Sequence, residues 1–242
     1  SYSVYRSTTS GSGFMAIVTG LSTTTYQNTG LTNQTTYYYK VSATGSGGES
    51  DLTSVIGAIP WASGGNNVSG VISGNQTWTE AGSPFTVTGS VIVNEGVTLT
   101  IEAGVEVKFD AGNSMQIQGK LIAQGTNGNE ITFTSNESSP AAGDWYQISF
   151  SVTSIPASYT NGEYVSGSII EYCIIEYGGS TSQSYVIKGL SYFNQCIMRY
   201  NDVGGNGSVI FSYTSSVLNV ITNNYIHDNP NAVAIQAQNA TI

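Results

Sequence analysis

Cys173-Ile174-Ile175, Cys196-Ile197-Met198 and Asn224-Tyr225-Ile226 recur at spacings of 23 and 28 residues, each followed by a polar residue and then a turn. A period of that length is one coil of a parallel β-helix. A solenoid buries its core by stacking equivalent positions, so side chains of successive coils form columns, and any site has to be a column or a loop. Aligned on the turn residues Gly178, Asn201 and Asn229, the repeats place Cys173, Cys196 and Asn224 in one inward column. Ile175, Met198 and Ile226 form another. Strand alternation then sends Glu176, Arg199 and His227 outward, beside an outward strip of Ile174, Ile197 and Tyr225.

The same rhythm extends backwards. From Val68 onward, short apolar strands alternate with Gly or Asn turns about every eight residues, three strands to a coil. Leu99-Thr-Ile101 pairs in this reading with Leu121-Ile-Ala123, and Val107-Lys-Phe109 with Ile131-Thr-Phe133. Residues 1–60 read differently. Tyr37, Tyr39, Val41 and Ala43 fall on one face and Tyr38, Lys40 and Ser42 on the other, the period-two pattern of an antiparallel sandwich. Ile59-Pro-Trp-Ala-Ser-Gly-Gly-Asn-Asn67 combines Pro, Gly and Asn between the two patterns, which makes residues 61–67 a linker. The expected fold class is therefore all-β: a sandwich over 1–60 and a parallel β-helix over 68–242.

Composition narrows the partners. Of 242 residues only 9% are charged, while 29 are Gly and 16 Tyr, and the net charge is −9 with six basic residues. No basic patch can be built from six cations, so nucleic acid is excluded as a partner. No run of 18 apolar residues occurs, so membrane insertion is not expected. With one His and no Cys-x-x-Cys pair, a zinc site is not expected either. The two cysteines sit at equivalent places in neighbouring coils, so a bridge between them is geometrically open; a stacked pair of reduced, buried thiols is the plainer reading.

Two resemblances follow from these stretches. Tyr2-Ser-Val-Tyr-Arg-Ser7, Tyr26 to Ala43 and Gly48-Glu-Ser50 resemble the second half of a bacterial fibronectin type III module, with Leu31 and Tyr37 at the positions of its tyrosine corner. The resemblance implies a module that begins in its middle. Its apolar face would lack the first strands, to be supplied either by an upstream part of the same polypeptide or by a neighbouring subunit. Residues 68–240, with Val97 to Phe109, Gly119 to Gly125, Ile131 to Ser135 and Gly143-Asp-Trp145, resemble bacterial secreted right-handed parallel β-helix proteins of the pectin-lyase type. That resemblance implies an extracellular or cell-surface location. It implies no single activity, since such repeats serve adhesins, carbohydrate-active enzymes and architectural proteins alike.

The candidate catalytic residues are Glu176 as acid or base, His227 sharing proton transfer and Arg199 orienting a substrate group. Ile174, Ile197 and Tyr225 are the candidate ligand contacts. The plainer reading of the polar column is a cross-strand ladder with Arg199 between Glu176 and a neutral His227. Pectin-degrading relatives of the fold use clustered aspartates, and the five here (Asp51, Asp110, Asp144, Asp202, Asp228) do not cluster in sequence or at one-coil offset. Glu102 and Glu106 flank a Gly turn. No resident cofactor or metal is expected, although Asp110-Ala-Gly-Asn113 and Asn127-Gly-Asn-Glu130 have the composition of Ca²⁺ loops as well as of ordinary turns. Trp61, Trp78 and Trp145 could stack on sugar rings, but packing roles are the simpler expectation. Six Asn-x-Ser/Thr sequons, at Asn33, Asn67, Asn75, Asn136, Asn206 and Asn239, carry no functional weight without a known host.

The functional expectation is a structural or adhesive segment at the cell surface, binding polysaccharide or neighbouring protein subunits. A polysaccharide hydrolase or lyase and a subunit of an extracellular filament are the alternatives.

Overall fold

A computed structural model describes residues 1–33, 35–60, 65–160, 163–180, 185–190, 192–203, 207–212, 219–231, 233–237 and 240–241. Trp61 and the sequons at Asn206 and Asn239 lie outside the described residues. The chain divides into two compact units, Ser1–Ala62 and Ser63–Ile242.

In the first unit, β1 (Tyr2–Ser7), β2 (Met15–Leu21), β3 (Tyr37–Gly45), β4 (Gly48–Glu49) and β5 (Ile56–Ala58) form one antiparallel sheet, with β1 between β2 and β3, and with β4 and β5 both paired to β3. Alternation holds: Val4 faces Val41 across β1 and β3, and Tyr2 faces Ala43. The sequence pattern predicted part of a sandwich, and the described strands of residues 1–60 all join one sheet. Among the described residues of this unit, no second sheet packs on its apolar face. A depression of about 560 Å³ opens there, lined by Tyr2, Val4, Leu21, Leu31, Tyr39 and Val41 among others. In the same unit the Thr32 amide donates to the Tyr37 hydroxyl at 3.1 Å. That bond holds the phenol below its ordinary pKa.

The second unit is a parallel β-helix. Phe85–Val93 is long enough to serve two faces: its first half pairs with Glu106–Phe109 and its second with Met115–Ile117. Those two faces together make up a 12-stranded sheet. The third face is a seven-stranded sheet running from Gln76–Trp78 through Thr98–Ile101, Lys120–Gln124, Ile169–Glu171, Tyr192–Asn194 and Asn219–Thr222 to Ala240–Thr241. Strands such as Thr98–Ile101, Glu106–Phe109, Met115–Ile117 and Cys173–Glu176 alternate one inward and one outward residue, so the core is columns of Leu, Ile, Val and Phe with little or no exposure. Leu99 meets Leu121 and Ile101 meets Ala123, the register read from the sequence. Val107, by contrast, meets Phe133 and Phe109 meets Ser135, a shift of two residues from the expected pairing with Ile131 and Phe133. A turn closed between Thr126 and Asn129 takes up the two residues. A slip of two preserves which side faces inward.

Aromatic rings fill the wider parts of the core. Trp78 stacks on Phe85 with centroids 4.8 Å apart, and Trp145 on Phe109 at 4.3 Å. Both tryptophans are 0% exposed, so neither offers a ring to a ligand. The Trp145 indole N–H donates to the Glu176 carbonyl at 2.9 Å. Room for this ring depends on Gly178, where a Cβ would come within 2.7 Å of the indole.

An element absent from the sequence reading interrupts the third coil. Gln124 and Glu171 are coil neighbours, bonded at 2.7 Å, yet 47 residues apart. The surplus includes a small antiparallel hairpin, Ser158–Thr160 with Glu163–Ser166. It lies over the outside of the third face, where Tyr159 and Tyr164 contact Tyr192 at centroid distances of 5.6 and 5.7 Å, beside Ile122 and Val220. Ile169 points outward on that face and is nevertheless fully buried. The hairpin's return is possible only through Gly167, at φ +101°, where a Cβ would sit 2.0 Å from the Pro156 carbonyl oxygen.

Candidate functional site

The outer surface of the first face is shaped by its two corners. At one, Tyr172, Gln195 and Asn223 adopt left-handed backbone at φ 48°, 56° and 56°; at the other, Tyr177, Tyr200 and Asp228 do so at 63°, 56° and 51°. Each non-glycine residue in that region costs roughly 1–2 kcal/mol. The conformation is held because the following residue turns inward and is tied down. Asn201 Nδ2 donates to the carbonyls of Ile175 and Arg199, both at 3.0 Å, while its Oδ1 accepts the Gly178 amide at 2.7 Å. One coil on, Asn229 Nδ2 donates to Met198 and His227 carbonyls, and its Oδ1 accepts the Asn201 amide. Asn224 does the same at the other corner, accepting the Cys196 amide and donating to the Phe193 carbonyl. The turn residues that aligned the repeats are thus an internal amide ladder, a role that their positions alone did not reveal.

Between the corners the structure brings Glu176 and Arg199 together. Arg199 Nε donates to Glu176 Oε2 at 2.8 Å, and the Thr134 hydroxyl donates to Glu176 Oε1 at 2.9 Å. The Glu176 side chain is 12% exposed. Its hydrogen bond raises the pKa of Arg199 further. The Arg199 guanidinium lies 5.6 Å from the Tyr200 ring centre, and Tyr200 stacks on Tyr177 at 5.5 Å. Burial, then the nearby Glu176 charge, pushes the Tyr177 phenol up.

His227 departs from the expected ladder. Rather than completing a Glu176–Arg199–His227 chain, its Nδ1 sits 2.8 Å from Asp228 Oδ2, on the adjacent corner residue. Its ring stacks on Tyr225 at 4.3 Å. Alternation accounts for both contacts: Tyr225 and His227 are two apart on one side of a strand, and the left-handed corner turns Asp228 back toward the histidine. Ile174 and Ile197 are half-buried in the next column, and Tyr225 at its end is 65% exposed. Tyr177, Tyr200, Asp228 and Thr134 complete the site without having been singled out in the sequence. The recurring aromatic just before Gly178 and Asn201 was the available signal.

Chemically the column is self-satisfied. Glycoside hydrolysis needs two carboxyl groups about 5–10 Å apart with one of them protonated. Both Glu176 oxygens are committed to cationic or hydroxyl donors, and its coil neighbours are Thr134 and Arg199, not acids. The two Ca²⁺-like stretches form turns closed by their own hydrogen bonds. Gly128 N–H donates to Glu130, and Asn113 N–H to the Asp110 carbonyl. Among the described residues no group of three or more His, Cys, Asp and Glu side chains is placed to hold a metal ion. The Glu106 carboxylate lies 3.4 Å from Lys108 Nζ. Among the described residues, no helix is long and apolar enough to cross a membrane.

The fold and this face define a parallel β-solenoid with an ordered outer ladder. Residues 70–184 match the pectate-lyase-like β-helix domain. No curated protein and no solved structure matches the chain.

Proposed function

We propose that the chain is a structural and adhesive segment of an extracellular or cell-surface protein, in which a rigid β-helix presents a saccharide-binding strip instead of a catalytic centre. The observation that carries this reading is the double engagement of Glu176 by Thr134 and Arg199, which occupies both oxygens of the candidate acid. Saccharide is the ligand class that suits the exposed Tyr225 ring beside the polar Arg199 and His227 and the apolar Ile174 and Ile197. The pectate-lyase-like domain is compatible with a carbohydrate-related role by analogy of fold alone.

The first unit supports a surface role independently. A sheet with β1 between β2 and β3, together with a Tyr37 hydroxyl bonded back to Thr32, suits half of a fibronectin type III-like module. Its open apolar face suits completion by further strands, from the same polypeptide or from a neighbouring subunit, as in a filament.

Affinity electrophoresis against neutral and uronate-containing polysaccharides, run beside an assay for released reducing ends or unsaturated products, tests the proposal. The expected outcome is retardation that is weakened in Tyr225→Ala, with no product. Turnover by the native protein that disappears in Glu176→Gln would establish the hydrolase or lyase reading in its place.

A further inference from the structure

Cys173 and Cys196 are the only cysteines in the chain, and neither takes part in the outer face. The strands Cys173–Glu176 and Ile197–Arg199 pair in parallel with Ile174 opposite Ile197, so the residues one step earlier, Cys173 and Cys196, are coil neighbours. In-register neighbours on parallel strands stand about 4.8 Å apart, inside the 4.4–6.8 Å range of Cα separations that a disulfide spans. Both side chains point into the core at 0% and 1% exposure, and both carry free thiols. What holds them is weak: Cys173 Sγ donates to the Glu171 carbonyl at 3.3 Å and Cys196 Sγ to the Asn194 carbonyl at 3.1 Å. Each lies two residues after its acceptor, so the same local geometry aims both sulfurs into one column.

We propose that Cys173 and Cys196 are a disulfide site, oxidised while the chain folds in contact with a low-molecular-weight or protein disulfide, and that the bond staples two successive coils. One cysteine thiolate attacks a sulfur of the external disulfide, whose S–S bond breaks and releases one thiol. The second cysteine thiolate then attacks the mixed disulfide at the protein sulfur, forming the Cys173–Cys196 bond and releasing the second thiol. Two electrons pass to the external disulfide, and the two cysteine protons end on the two released thiols. The chemistry belongs to folding and not to the folded state, because burial and the adjoining Cys196 thiol push the Cys173 thiol well above its ordinary pKa. Once the coils have closed, the same burial keeps reductants away. Closing the bond draws the Cβ atoms in to about 4 Å and gives up two weak S–H···O contacts.

The full chain, reduced and unfolded, is refolded in a glutathione buffer with excess oxidised glutathione, then denatured without reductant and treated with a maleimide. The expected product carries no maleimide, weighs two hydrogens less than the reduced chain and yields a peptide linking Cys173 to Cys196. It melts higher than the reduced protein by on the order of 5–10 °C. Two maleimides, glutathione adducts or cross-linked dimers overturn the proposal. The double variant Cys173→Ser with Cys196→Ser is expected to melt with the reduced protein; an oxidised protein that melts no higher than this variant also overturns the staple.

Discussion

The leaf of residues 1–62 and the solenoid of residues 63–242 meet the same requirement, burial of one side of a β-sheet, by different means. The solenoid curls the sheet around its own apolar side, so that Leu99, Phe133, Ile148 and Trp145 are 0% exposed. The described strands of the leaf form a single sheet, and Tyr2, Tyr39 and Val41 line an open depression. Local alternation is equally regular in both. Closure thus depends on how many layers the chain brings together, not on how good any strand is by itself.

The contrast can be broken most directly by truncating one ring. Trp145→Ala should cost the solenoid about 3–5 kcal/mol, whereas Val41→Ala should cost the leaf about 0.5 kcal/mol. Amide hydrogen exchange read separately over the two units decides this, and equal losses would mean that the leaf face is covered in solution. Asn201→Leu keeps the volume but strips partners from the Gly178 amide and the Ile175 carbonyl. An expected loss of about 3 kcal/mol would show as exchange confined to the coils around Asn201 and Asn229. Gly178→Ala forces a Cβ against the Trp145 ring, and calorimetry should show a loss of about 1–3 kcal/mol from overpacking.

The smallest effect falls on the leaf. Hydroxyls of Ser42 and Tyr5 donate to Glu49 and hold its carboxyl below the ordinary value of 4.5. A depressed folded pKa stabilises fully above the unfolded value, and that contribution is lost as pH falls through the folded one. Protection factors around β3 and β4, corrected for the slower intrinsic exchange in acid, should therefore fall as the solution is acidified below about pH 4.5. Glu49→Gln should remove that dependence and leave the solenoid's exchange unchanged.

Columns were legible wherever turn residues marked the ends of the coils, at steps of 22, 23 and 28 residues alike. Cys173 over Cys196, Leu99 over Leu121 and the outward placement of Glu176, Arg199 and His227 follow from spacing and alternation, because both are properties of the chain alone. The two-residue slip at Val107 and Phe133 was not legible, since a turn can absorb residues without changing which side faces inward. The hairpin over the third face, Ser158–Thr160 with Glu163–Ser166, was not legible in the sequence. It was missed because a 47-residue gap fits two coils as readily as one coil with an insertion.

The sequence by itself determined that this protein is all-β, that its second unit is a parallel β-helix, and that Glu176, Arg199 and His227 face outward beside Ile174, Ile197 and Tyr225, since side-chain period and repeat length are local quantities. Only the tertiary structure decided that Glu176 spends both oxygens on Thr134 and Arg199, that His227 turns to Asp228, and that the asparagines at the corners form an internal ladder. Those are contacts between coils, and hydrogen-bond partners are fixed by register and corner geometry at a precision of about an ångström, which a repeat length counted in whole residues does not carry.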